Sequence, residues 1–150
     1  MLSEKDMVAA IRNVALVSID LIIRNKNDEA LLIRRKQEPA KGSYFVPGGR
    51  IWKDESIEAA FNRILKGETN LSARFEDAQP VGVFEHRYSS NRFEDKQFGT
   101  HYIALAYELI VAEIDSLQLD DYHSDPKWMT ADQVIANGEV HEFAKQYFRR

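Results

Sequence analysis

The sequence predicts an α+β fold, a mixed α/β/α sandwich, on three observations. Apolar, β-branched runs come in two pairs, each split by a polar turn: "VALVSIDLIIR" (14–24) with "ALLIRR" (30–35), and "VGVFEHRY" (81–88) with "THYIALAYELIVA" (100–112). Ile57, Ala60, Phe61, Ile64 and Leu65 recur at helical spacing, which makes one apolar face able to cover a sheet. Capping signals, Ser3 with Asp6 and Thr130 with Gln133, open helices near the two ends of the chain.

Taken in order, Ser3 starts a short helix that runs to about Asn13. The first pair of strands forms a hairpin about "NKNDE", and a loop with Pro39 and Gly42 follows. "YFVPGGR" reads as a short strand ending in a sharp turn, ahead of the amphipathic helix. The second pair makes a hairpin with the long polar tip "SSNRFEDKQFG". Thr130 opens a helix, and a last one spans "VHEFAKQYF". No repeat or low-complexity linker divides the chain, so residues 1–150 are expected to form one domain.

Composition removes several functions. A formal charge of −4 without a basic block offers no footprint for a nucleic-acid backbone. The absence of cysteine rules out disulfides, thiolate metal sites and thiol catalysis. No apolar run approaches the roughly 20 residues of a membrane span, and "MLSEKDMVAAIRN" has no signal-peptide core. A cytoplasmic protein without membrane or nucleic-acid partners is the expectation.

Chemistry concentrates in "PGGRIWKDESIEAAFNRILKGETNL" (47–71), where a diglycine loop leads into the amphipathic helix. Gly49, Glu55, Arg63, Leu65, Glu68 and Leu71 have the spacing of the Nudix box, in which a glycine loop and a helix hold magnesium against a diphosphate. The chain resembles one divergent branch of that family, the GDP-mannose mannosyl hydrolases. "LVSIDLII", "RRKQEPAKGSYFVPGGR", "GVFEHRY", "THYIALAYEL" and "YHSDPKWMT" follow that branch in order over nearly the whole chain. Ile64 and Gly67 stand where the branch has given up two of the box glutamates.

The resemblance implies a Nudix fold, a central mixed sheet flanked by helices. It also implies hydrolysis of GDP-mannose, with GDP-glucose as a second candidate, by water attack at the anomeric carbon with inversion. One magnesium per subunit, replaceable by manganese, is expected on Glu68 and the Gly49 carbonyl; oxygen ligands and retained waters suit it. His123 matches the catalytic base, in the loop before "KWMT"; a solvated loop histidine is the plain alternative. Arg50 matches the arginine on the departing diphosphate, and a strand-end surface charge is the alternative. Asp20, a carboxylate in an apolar strand, needs a partner: Arg50 or substrate on the functional reading, a structural salt bridge otherwise. Arg35 and Tyr102 match substrate contacts, and His86, with His101 beside it, is a further candidate. Met1, Leu2 and Met7 match an N-terminal segment laid against the nucleotide, partly from the second subunit of a homodimer. Glu55 and Arg63 are expected to stabilise the box, Arg63 by orienting Glu68.

Two departures from the branch stand out. Tyr122 replaces a glutamine metal ligand, so water, Asp121 or Asp125 must fill that position or affinity must fall. Asn70 replaces the terminal glycine of the box, a mild change because asparagine tolerates the left-handed conformation. Two rival functions remain, a Nudix pyrophosphohydrolase that cuts P–O bonds and a non-catalytic nucleotide-sugar-binding module.

Overall fold

The computed structural model describes residues 2–149. Helix α1 (Glu4–Asn13) is capped by the Ser3 hydroxyl, which accepts the Asp6 N–H. Strands β1 (Leu16–Arg24), β2 (Ala30–Arg35), β3 (Tyr44–Phe45) and β4 (Gly48–Arg50) precede helix α2 (Ile57–Thr69). Strands β5 (Gln79–Tyr88), β6 (Thr100–Ile110) and β7 (His123–Met129) follow, then helices α3 (Ala131–Ala136) and α4 (Glu142–Lys145). The Thr130–Gln133 capping box closes in both directions. The final helical stretch is shorter than expected: α4 gives way to a single 3-10 turn at Gln146–Phe148.

Among the described residues the strands form one mixed sheet in the order β3-β2-β1-β6-β5, with β4 on β1 and β7 on β2. β1 and β6 run parallel from Leu16↔Tyr102 to Arg24↔Ile110, and β5 pairs antiparallel with β6 as the expected second hairpin. The first hairpin departs from expectation. β1 and β2 pair only at Arg24↔Ala30, beside the turn. Beyond it they part: β4 takes the freed edge of β1 at Ser18–Asp20, and β3 takes that of β2 at Ile33 and Arg34. "YFVPGGR" is therefore two short strands filling a fork, and the Pro47 carbonyl accepts the Leu21 N–H at 2.8 Å within it.

β1 reads as a nearly continuous apolar run because both of its faces are covered. Ile19, Leu21 and Ile23 pack with Phe61, Ile64 and Leu65 of α2. Ile22 packs on the opposite face with Val134, Ala144 and Tyr147 from the C-terminal helices. Ile57, counted in the helical stripe, is instead exposed in the first turn of α2. Asn70 ends that helix in the left-handed conformation (φ 60°), as its chemistry allows. No helix among the described residues is long and apolar enough to cross a membrane.

Candidate functional site

The fork between β1 and β2 opens into a cleft of about 290 Å3, lined by Met7, Arg35, Gly49, Arg50, Glu68, Tyr102 and His123 among others. A recess of about 70 Å3 adjoins it, sharing Arg35, Gly48, Gly49 and Tyr102 and adding Asp20 and His86. Nine of the ten candidate residues thus converge from eight elements. Leu2 is the exception: it is exposed ahead of α1 and absent from the lining, so Met7 alone carries the N-terminal expectation. Met1 lies outside the described residues. His101 also falls away from the cleft, because it alternates with Tyr102 along β6 and lines a different hollow with Arg12 and Phe98.

Strand alternation also separates the "RR" pair. Arg34 points to the other face, where it bonds Glu139 at 2.9 Å and lies over the Tyr44 ring. Arg35 enters the cleft, its Nε donating to the Pro39 carbonyl at 2.7 Å. From there its charge bears on Asp20, Glu68, Tyr102 and His123.

At one end of the cleft Glu68 projects from α2 beneath the diglycine, and its Oε1 accepts the Gly48 N–H at 3.1 Å. Gly48 has to be glycine for its close pairing with β1: a Cβ there would collide with the Asp20 carboxylate and lie 2.8 Å from the Ile19 carbonyl oxygen. Burial pushes the Glu68 carboxyl up to about 8, assisted by the negative charge of Asp120 and opposed by the Gly48 N–H. Arg63 does not orient it, contrary to expectation. Its guanidinium is used instead on Glu55 at 2.8 and 2.9 Å and on the Arg50 carbonyl at 2.8 Å, and it lies over the Trp52 ring. That fork holds Glu55 down to about 2 and ties the loop after β4 to the helix, the structural role expected of the pair.

His123 is not in a loop but is the first residue of β7, in register with Arg35. Between Leu32↔Lys127 and Arg34↔Ser124 the register slips, leaving one extra residue on β7, where Asp125 has φ 49°. Such a bulge re-aims neighbouring side chains. The buried His123 imidazole meets Asp120 Oδ1 at 2.7 Å through Nδ1 and stands 3.9 Å from Glu68 Oε1 through Nε2. Burial lowers the His123 pKa despite the carboxylate beside it, which keeps the ring in its neutral, basic form near neutral pH.

Neither aspartate named as a substitute for the missing glutamine takes part. Asp125 pairs with Arg34 at 3.3 Å, and Asp121 is exposed. Asp120 is the one that arrives, and Glu68, Asp120 and His123 bring ligand atoms within 4.8 Å of one another. Only its i, i+3 spacing to His123 hinted at this in the sequence. A buried carboxylate whose ionisation a neighbouring acid opposes suits a hard divalent cation.

The opposite wall is cationic. Arg50 and Arg92 form no ion pair among the described residues, and their charges act on each other. The Arg50 pKa is lowered, chiefly by burial. Asp20, at the floor of the recess, is not Arg50's partner: the Tyr147 hydroxyl donates to it from the far end of the chain. Burial raises Asp20 to about 6 even so. His86 is held in an aromatic nest, stacked on Phe143 at 4.7 Å, and desolvation lowers it to about 4, so it faces the recess uncharged.

A glycine loop and helix presenting one carboxylate to an arginine-lined cleft is the arrangement that the box spacing implied, and the NUDIX-domain family profile matches residues 15–150. The chain belongs to the Nudix family. Among its relatives, the low-salt glycan biosynthesis protein Agl8 of Haloferax volcanii is 38% identical over 119 residues, covering 79% of this chain and 73% of that protein. The MutT protein of Methanosarcina mazei shares the Nudix fold at a TM-score of 0.70 with 21% identity, over 91% of both chains. The NUDIX domain of Shewanella oneidensis NrtR, complexed with ADP ribose, superposes at a TM-score of 0.66 with 20% identity, covering 99% of this chain and 97% of that one.

Proposed function

We propose that this Nudix hydrolase cleaves GDP-mannose, or a closely related GDP-sugar, to GDP and the free sugar by water attack at the anomeric carbon. The observation that carries this is a neutral imidazole facing the single box carboxylate. His123 Nε2 stands 3.9 Å from Glu68, while Ile64 is buried against Gly49 and Gly67 has no side chain to offer. A box that presents one carboxylate to the cleft, its Glu55 being taken up by Arg63, is poorly equipped to hold the several cations that attack at phosphorus employs. The glycan biosynthesis role named for the Haloferax relative supports a sugar-bearing substrate.

In this reading the arginine wall, Arg35 and Arg50 with Tyr102, receives the diphosphate, and Asp20 and His86 in the recess receive the sugar. His123 takes a proton from water at Nε2 as the water oxygen bonds to C1. The bond from C1 to the diphosphate oxygen breaks, and its electron pair leaves with GDP. Glu68, the Gly49 carbonyl and water would hold one magnesium or manganese ion, which when bound neutralises charge on the departing diphosphate. Displacement from the face opposite the diphosphate inverts the anomeric centre.

Hydrolysis in ¹⁸O-labelled water tests the reading: label is expected in the sugar, with the β anomer appearing first from an α-linked substrate. Label in the phosphate would overturn it in favour of P–O cleavage, and binding without GDP release in favour of a binding module. His123→Gln should lower turnover by roughly a hundred- to ten-thousandfold with little change in GDP binding. The reading includes a cytoplasmic homodimer with N-terminal segments near the active sites; a monomer by light scattering at working concentration would count against the dimer.

A further inference from the structure

We propose that Asp120 is a positioning residue that fixes His123 in the tautomer with its proton on Nδ1, leaving the Nε2 lone pair aimed into the cleft. The inference deepens the reading of His123 as a base, and it rests on that reading for its effect on turnover. Its structural part stands separately.

Asp120 Oδ1 accepts from two groups at once, the Tyr122 N–H at 3.1 Å and His123 Nδ1 at 2.7 Å. An ionised carboxylate can only accept, so the nitrogen facing it must carry the hydrogen. The other nitrogen is then bare, and it is the one turned toward Glu68 at 3.9 Å. A neutral imidazole in water favours the opposite tautomer, and the carboxylate reverses that preference in the way an aspartate orients a catalytic histidine. The turn is held from outside as well, because the Lys36 N–H donates to the Tyr122 carbonyl at 2.9 Å and fixes the loop to the end of β2. Asp120 is more than a third candidate cation ligand, since the oxygen nearest the histidine is already committed to two donors.

The test reads the ring directly. ¹⁵N spectra of the imidazoles in the metal-free protein, with the His123 signals assigned by their loss in His123→Gln, should show Nδ1 protonated in the wild type. In Asp120→Ala the Nε2-protonated form should become the main neutral species. Turnover with magnesium should fall by on the order of tenfold to a hundredfold, with KM and GDP affinity within about twofold. Asp120→Asn should restore most of both, because the Tyr122 N–H selects the amide oxygen for the shared position and leaves it facing Nδ1. An unchanged tautomer in Asp120→Ala overturns the proposal. If that variant instead loses magnesium binding in calorimetry while the tautomer persists, Asp120 is a cation ligand. If the wild type releases no GDP from any nucleotide sugar, the hydrolase reading falls, and the spectra alone still decide the role of Asp120.

Discussion

Asp20 and Glu68 are buried carboxyls at two ends of one cleft, and desolvation holds both above their ordinary values, at about 6 and about 8. They differ in what answers their charge. The Arg35 charge reaches both, but Asp20 also receives the Tyr147 hydroxyl, so the fold itself supplies its hydrogen-bond donor. Glu68 receives a single backbone N–H, from Gly48, and faces the negative Asp120. A carboxylate answered by its own chain needs no cation, whereas one left under-answered beside a second acid is a place for an external one. The contrast separates two kinds of buried acid that composition cannot distinguish.

The largest expected effect of breaking this contrast is at the under-answered end. Glu68→Gln should reduce metal-dependent turnover by on the order of a hundred- to a thousandfold, while circular dichroism and the melting temperature show an intact fold. Global unfolding of that variant would place Glu68 among the structural acids and erase the difference. At the other end, Tyr147→Phe keeps the ring against Phe84 but removes the donor to Asp20. It should cost about 1–3 kcal/mol of stability in urea unfolding, and a loss below the precision of that measurement would mean Asp20 does not depend on Tyr147.

A smaller effect is read from pH. Both carboxyls have folded-state values above their ordinary ones, 3.8 for Asp20 and 4.5 for Glu68. The folded chain therefore holds protons that the unfolded chain has released, and stability is lost as pH rises. The Asp20 share is fully present below about 3.8 and gone once pH passes about 6, and the Glu68 share is lost between about 4.5 and about 8. In metal-free protein the melting temperature should fall across the upper window relative to Glu68→Gln. Adding magnesium should flatten that upper window and leave the lower one. A magnesium effect equal at both ends would contradict the assignment of the cation to Glu68.

Much of the fold was legible because its signals are local. The stripe of Ala60, Phe61, Ile64 and Leu65 and the caps at Ser3 and Thr130 each act within one or two helical turns. The site was legible as a list of residues more than as a set of partnerships. Arg35, Arg50, Glu68, Tyr102 and His123 do meet in one cleft. Arg63, however, serves Glu55 rather than Glu68, and Asp20 is answered from 127 residues away. Asp120 was passed over for its neighbours because which acid of "DDYHSD" reaches the histidine depends on a turn and on a bulge in β7.

By itself the sequence determined where most strands and helices form, that one apolar helix face can cover a sheet, and that a glycine loop leads into a helix with one remaining box carboxylate. Those properties follow from side-chain periodicity, caps and residue chemistry, which need no knowledge of distant chain. Tertiary structure alone decided that β1 and β2 fork after Arg24↔Ala30, so that β3 and β4 fill the gap and open the cleft. It also decided that Tyr147 completes Asp20 and that Asp120, not Asp121 or Asp125, stands behind His123. The physical reason is that a buried polar group takes whichever partner the packed chain brings within about 3 Å, and that proximity is created only when the strands are paired.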